Sequence, residues 1–279
     1  MPTVQFTRES SAVGRVTFSN PPVGLVTGGA VRDLIDIVKN LSTDADLKVL
    51  VFDSADDDFF LNHFDLAHLD QFPGGPAWMD LVVSLSQAPY VTVALIRGRT
   101  RGGGNELALA LDLRYASRER ARFGQPEVGT ALVPGGGGTE RLPRQIGRDR
   151  ALEAILTSAD YDAETAERWG WVTRTLNDEM LDDYVAEIVE RLASFDRTAL
   201  ATAKAMVNRS ALPSESDLES AYKTFQQLTS SAAFQARAAS SAPVLSPEQI
   251  VASELDLGEF IGRAALQRAA AASPTADTP

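Results

Sequence analysis

The chain has 279 residues, 44% of them hydrophobic, with a formal net charge of −12 and no cysteine. That hydrophobic share is ample for a sizeable core, while the acidic balance argues against sequence-independent binding of nucleic acid, because no basic block exists to displace phosphate counterions. The absence of cysteine excludes disulfides, thiolate catalysis and cysteine metal sites.

MPTVQFTRES lacks a basic-then-apolar leader pattern, and no run approaches the roughly 20 apolar residues of a membrane helix, so a soluble cytoplasmic protein is expected. Ala12 to Ser19 alternates around Val13, Val16 and Phe18 and stops at Asn20-Pro21-Pro22, a strand broken by prolines. Gly28 to Leu41 sets Val31, Leu34, Ile35 and Val38 on one helical face. Lys48 to Phe52 and Pro89 to Ile96 read as short strands, with a helix from Met79 to Gln87 between them. Asp56-Asp57-Asp58 lacks calcium-loop spacing and reads as a solvated turn. His63 and His68, the only histidines, are five positions apart with no metal-binding context, so no metal site is expected.

VTVALI followed by the glycines from Gly98 to Gly104 and a helical run could cradle a pyrophosphate. The Tyr-Lys relay of short-chain dehydrogenases is missing, however, and the dinucleotide reading is set aside. Pro134 and the glycine run Gly135 to Gly138 also look like an anion cradle, but no Lys-Ser/Thr pair follows, and the reading preferred here is a tight turn with Thr139 capping a helix. From Asp178 onward the spacing is nearly all helical, ending in AAAASPTADTP. The class is therefore α/β. Its expected division is a core over 1–177, a helical region over 178–265 and a disordered tail over 266–279.

Two glutamates stand out. Glu106 follows three glycines and opens the helical run from Leu107 to Leu111, in a first turn whose N–H groups lack intrahelical partners. Glu127 ends Phe-Gly-Gln-Pro-Glu, where Gly124 and Pro126 stiffen the backbone. Two carboxylates presented this way can share acid and base work.

The segment from Gly98 to Arg144 closely resembles the signature of the crotonase superfamily, also called the enoyl-CoA hydratase/isomerase family. The resemblance is carried by Gly102-Gly103-Gly104-Asn105-Glu106-Leu107-Ala108, Asp112-Leu113-Arg114, Phe123-Gly124-Gln125-Pro126-Glu127 and Pro134 through Pro143. Weaker similarity extends over roughly residues 10 to 175, and the segment between the glutamates is about one residue longer than the family pattern, near Ser117 to Arg120. Such a resemblance implies a crotonase-like spiral of ββα units, with a C-terminal helical region used in a homotrimer or dimer of trimers. It also implies an acyl-CoA thioester substrate, with no cofactor beyond the coenzyme A that the substrate carries and no metal.

The resemblance makes Glu106 and Glu127 the catalytic pair of an enoyl-CoA hydratase, with isomerisation, decarboxylation or C–C cleavage, or a non-catalytic acyl-CoA-binding subunit, as rivals. It places one oxyanion donor at the Gly103 N–H. The other falls in a pair two residues before Asp65-Leu66, here Asn62-His63, and is assigned to the Asn62 N–H. His63 replaces a glycine of the kind that often serves a positive φ. His63, Asp65, Arg101, Gly102, Pro134 and Gly135 are expected substrate contacts, and Phe72 to Trp78 belongs to the loop that shapes the acyl pocket. Arg97, Arg99 and Arg101 read either as recognition of an acidic acyl group or coenzyme A phosphate or as salt bridges to neighbours in the same sheet or trimer.

Overall fold

Short runs of β-branched residues, buried on both faces, build the frame. The computed structural model describes residues 3–74, 76–240 and 246–272. Its strands are β1 (Val4–Arg8), β2 (Val13–Phe18), β3 (Val49–Ser54), β4 (Phe59–Leu61), β5 (Val91–Ile96), β6 (Arg99–Arg101), β7 (Leu113–Ser117), β8 (Arg122–Gly124), β9 (Asp160–Asp162) and β10 (Arg174–Leu176). The helices of the core are α1 (Gly28–Leu41), α2 (Ala77–Gln87), α3 (Gly103–Ala110), α4 (Gly138–Ile146), α5 (Arg148–Thr157) and α6 (Ala163–Trp169). After them come α7 (Asp178–Ala193), α8 (Arg197–Ala211), α9 (Glu215–Thr229), α10 (Ala232–Ser240), α11 (Pro247–Leu255) and α12 (Leu257–Ala272).

One sheet runs β1-β2-β3-β5-β7-β10 and a second runs β4-β6-β8-β9. Only the β1–β2 and β8–β9 pairings are antiparallel. Each turn of the chain therefore gives one strand to each sheet and then a helix, as in β3-β4-α2, β5-β6-α3 and β7-β8-α4. This is the spiral of ββα units that the resemblance implies.

Side-chain alternation along the strands sorts residues between two cores. In β3, Leu50 and Phe52 pack with Leu34, Val82 and Leu107, whereas Val49 and Val51 pack with Leu181, Val185 and Val189 of α7. Parallel strands covered on both faces read as the continuous apolar runs seen in the sequence. Thr27 caps α1 by accepting from the Ala30 N–H, which fixes the helix over the span expected from its periodicity. The turn at Arg118, Glu119 and Arg120 is exposed, so a change of length there meets solvent and not the core. Thr139 does not cap α4. Gly137 takes the N-cap position at φ 103°, and the Thr139 hydroxyl donates to Glu140 Oε1 instead.

The last helix continues to Ala272, while 273–279 of the expected tail and Gly75 of the stretch from Phe72 to Trp78 lie outside the described residues. Among the described residues no helix is long and apolar enough to cross a membrane.

A buried polar chain ties the spiral turns together through α3. Asn105 Nδ2 donates to Gln125 Oε1 at 2.5 Å, and Trp171 Nε1 donates to Asn105 Oδ1 at 2.9 Å. All three side chains are fully buried. Asn105→Ala leaves one donor and one acceptor without a partner, and at about 1–3 kcal/mol for each buried orphan the expected loss of stability is about 2–6 kcal/mol in urea denaturation. A loss under about 0.5 kcal/mol, the range of ordinary surface substitutions, would show that the chain is not a structural tie.

Candidate active site

Helix α3 begins at a glycine because its cap lies at φ 49°, where a side chain is strained and where a Cβ would stand 2.9 Å from both Glu127 Oε1 and His63 Cβ. From that cap Gly103 is the first helical residue and its N–H has no intrahelical partner. Glu106 follows in the same turn and is 1% exposed. Its Oε1 accepts the Gly136 N–H at 2.7 Å and the Gly138 N–H at 3.0 Å. The glycine run before α4 is therefore an anion cradle and not merely a turn, and the anion is the protein's own carboxylate. A Cβ at Gly136 would lie 2.3 Å from Glu106 Oε2 and 2.3 Å from Trp78 Nε1, so only glycine fits there.

Glu127 stands at the end of the β8 segment and faces the same space. Its Oε2 accepts from Gln125 Nε2 at 3.3 Å, and Gln125 is itself held by Asn105. Burial raises the Glu106 carboxyl to about 7 against the pull of the Gly138 and Gly136 N–H donors. Burial, then the Glu106 charge, raises Glu127 to about 8. Two coupled carboxyls in one desolvated space share protons. The direction follows from the partners: two short backbone contacts favour the ionised form of Glu106, while Glu127 has its own N–H and a longer amide contact, so the proton is favoured on Glu127.

Asn62 is not the second free donor. Its N–H donates to Gly24 O at 2.8 Å, and its side-chain amide donates to Val23 O and to Glu254 Oε2. Pairing with the segment around Val26 alternates along this strand. The Val26 N–H donates to His63 O and the Asp65 N–H to Val26 O, which leaves the intervening Phe64 N–H without a hydrogen bond among the described residues. Gly103 adjoins it, since a Cβ there would touch the Phe64 ring at 3.1 Å. Replacing glycine by His63 carries no backbone cost, because the only non-glycine residues with positive φ among those described are Ala131 and Ser158.

Other expected contacts are redistributed. Arg101 is fully buried and grips Asp160 with Nε and Nη2, both at 2.7 Å, so it is not available to a substrate. Arg97 pairs with Asp178 and Asp182, and Arg99 with Asp58. The salt-bridge reading of these arginines holds. Asp65 caps the following turn through the Ala67 N–H and pairs with His68, so its carboxylate is engaged in the loop. The Gly102 N–H donates to Gly124 O, which leaves Gly102 a steric role. Pro134 lines a separate surface hollow with Thr139, Glu140 and Asp217, and only Gly135 of that pair borders the glutamates' cavity.

That cavity measures about 560 Å³ and takes in both glutamates, His63 and Phe64, a size suited to a small-molecule ligand. Phe64 crosses Trp78 at 5.1 Å and Phe72 at 5.4 Å, edge to face. Much of the wall comes from the C-terminal helices through Phe225, Phe234, Ile250, Leu257 and Ile261. None of these wall residues, nor Glu254 or Gln125, is marked as a site residue by sequence reasoning, whereas Phe72 and Trp78 fall in the stretch expected to shape the pocket. Gln125 had a signal, lying inside the Phe-Gly-Gln-Pro-Glu motif, and the helical residues had none. Among the described residues no group of three or more His, Cys, Asp or Glu could hold a metal ion.

The sequence profile of the enoyl-CoA hydratase/isomerase family matches residues 8–241. A probable mitochondrial enoyl-CoA hydratase of Dictyostelium discoideum is 31% identical over 209 residues, 73% of this chain and 75% of the relative. A probable enoyl-CoA hydratase of Rhizobium meliloti (strain 1021) is 42% identical over 118 residues, 42% of this chain and 46% of the relative. A crystal structure of a putative enoyl-CoA hydratase from Streptomyces avermitilis superposes with a TM-score of 0.86 at 40% identity, covering 93% of this chain and 96% of that one.

Both glutamates titrate above the ordinary value of 4.5. Between that value and about 8 the folded chain therefore binds more protons than the unfolded chain, and it loses stability as pH rises through the window. Above the window the fold carries the whole cost of a buried second charge. Glu127→Gln removes that cost, so its Tm should exceed that of the parent at pH 9, with the advantage vanishing below about pH 4.5. A variant less stable than the parent across the whole range would contradict the raised pKa.

Proposed function

Because the chain belongs to the enoyl-CoA hydratase/isomerase family, we propose that it is an enoyl-CoA hydratase, adding water reversibly to a trans-2-enoyl-CoA thioester to give a 3-hydroxyacyl-CoA. The observation that carries this reading is the pair of buried glutamates in one cavity, Glu106 on a two-donor cradle and Glu127 with weaker partners, an asymmetry that favours an ionised Glu106 beside a protonated Glu127. Hydration needs that combination. Glu106 takes a proton from water as the water oxygen bonds to Cβ, the C=C electron pair moves toward the thioester, and the carbonyl oxygen becomes an enolate oxygen. Glu127 then gives its proton to Cα as the enolate collapses. The net change is one O–H added across the double bond, after which the proton on Glu106 must pass to Glu127 or solvent to restore the starting state.

The enolate oxygen needs donors that are not already engaged. The Gly103 and Phe64 N–H groups fill that role, with Gly103 helped by the positive end of α3. Preorganised donors of this kind can lower the barrier by roughly 3–4 kcal/mol each. Phe64 and Phe225 line the cavity and Trp78 packs behind Phe64, an apolar surrounding that strengthens those interactions.

The test is a panel of enoyl thioesters read by mass spectrometry, where hydration adds the mass of one water and isomerisation adds none. Glu106→Gln and Glu127→Gln should each lower turnover by about 10²-fold or more while the protein stays folded, as expected when a positioned acid or base is removed. Near-parental turnover in both variants, or rearrangement without a mass gain as the sole reaction, would overturn the hydratase assignment.

A further inference from the structure

Helix α11 is fastened to the loop that carries the free Phe64 N–H. Glu254, in its last turn, accepts from Asn62 Nδ2 at 2.8 Å, and both of its carboxylate oxygens lie 3.2 Å from His63 Nε2. The other ring nitrogen, Nδ1, lies 2.9 Å from Phe64 O. A carbonyl and a carboxylate are both acceptors, so only the doubly protonated imidazolium can donate to both.

The same helix end is held by main-chain contacts. Glu254 O accepts from Arg101 Nη1 at 2.5 Å, and Leu255 O accepts from Arg99 Nε at 3.1 Å. Asp160, already clasped by Arg101, also takes the Gly258 N–H at 3.1 Å. Ile250 and Ser253 of α11 face the cavity, so the fastening joins the pocket wall to the oxyanion loop.

We propose that His63 and Glu254 are positioning residues, an imidazolium–carboxylate pair that fixes the Phe64 peptide for the enolate and holds α11 closed over the acyl group. The arrangement depends on His63 being charged. The charged groups that face it are Glu254 from α11, Arg101 from β6 and Glu127 from the opposite wall. Burial and Arg101 act to lower the His63 pKa, but Glu254 and the Phe64 carbonyl outweigh them and raise it. Glu254 is held below the usual carboxylate range, although burial opposes this, chiefly by His63 and then by the Asn62 amide. For a raised histidine pKa the contribution is complete below the unfolded value and is lost as pH rises through the folded one. In alkaline solution the neutral ring would turn a lone pair toward either the carbonyl or the carboxylate, and the fastening would open. The family-like glycine in place of His63 could make neither contact.

This inference rests on the hydratase reading for the enolate, but the pair itself is read without substrate. The chain has two histidines, so imidazole NMR of the full-length protein, with His68→Gln to assign the signals, reports the His63 titration directly. In Glu254→Gln, which keeps an acceptor for Asn62, the His63 pKa should fall and the α11 amides should exchange faster. With an enoyl thioester, Glu254→Gln and His63→Gln should each lower kcat by about 10- to 100-fold, as small misplacements of a catalytic group do. KM should rise as well, and the double variant should be no worse than the poorer single one. Failure of the wild-type protein to hydrate any thioester would count against the hydratase assignment alone. An unshifted His63 titration, unchanged α11 exchange in Glu254→Gln, or multiplied effects in the double variant would overturn the positioning pair.

Discussion

Two backbones that pass without side chains between them govern the site. The Gly104 N–H donates to Asn62 O at 2.9 Å, and a Cβ at Gly104 would lie 1.9 Å from Leu61 O. No other residue allows the start of α3 to dock against the end of β4 at that separation, because the clash would be with main chain that cannot rotate away. From this approach the rest follows. Gly103 is brought against the Phe64 ring, and Glu106, in the first turn, reaches the loop that precedes α4.

The electrostatics then follow from which partner each carboxylate finds. A buried carboxylate without donors takes up a proton, and one with several donors resists doing so. Glu106 meets two main-chain N–H groups from the next turn of the spiral, whereas Glu127 meets its own N–H and one side-chain amide at longer range. Asymmetry of hydrogen bonding, more than asymmetry of burial, therefore distinguishes the two carboxyls. It comes from elements far apart in sequence that the spiral stacks in register, with β6 ahead of Glu106, β8 ahead of Glu127, and the glycine run ahead of α4.

Much of this was legible before any coordinates. The span of α1 could be read from the spacing of Val31, Leu34, Ile35 and Val38, and the two glutamates from the glycine and proline signals that fix their backbones. What escaped has a common cause. Whether the Asn62 or the Phe64 N–H is free depends on the pairing of that strand with Gly24 and Val26, which no local pattern encodes. The glycine run before α4 was discounted as a cradle because no lysine accompanied it, yet its anion proved to be a side chain of the same protein. The arginines near Gly98 admitted two readings, and only the positions of Asp58, Asp160, Asp178 and Asp182 decide between them. A charged side chain reveals its own valence in the sequence but not its partner.

The division between core and C-terminal helices also separates two kinds of constraint. The two glutamates follow short strands and a helix start whose positions are fixed by main-chain contact, where a small shift would break their hydrogen bonds. Most of the wall around them is apolar side chain from α9, α10, α11 and α12, and such a surface can change in shape while keeping its burial, since volume-conserving apolar exchanges are well tolerated. The glutamates are thus held by the spiral, while much of the wall of their cavity is set by the C-terminal helices. The polar contacts of Glu254 lie where these two regimes meet, joining the wall to the segment that carries Asn62 and His63.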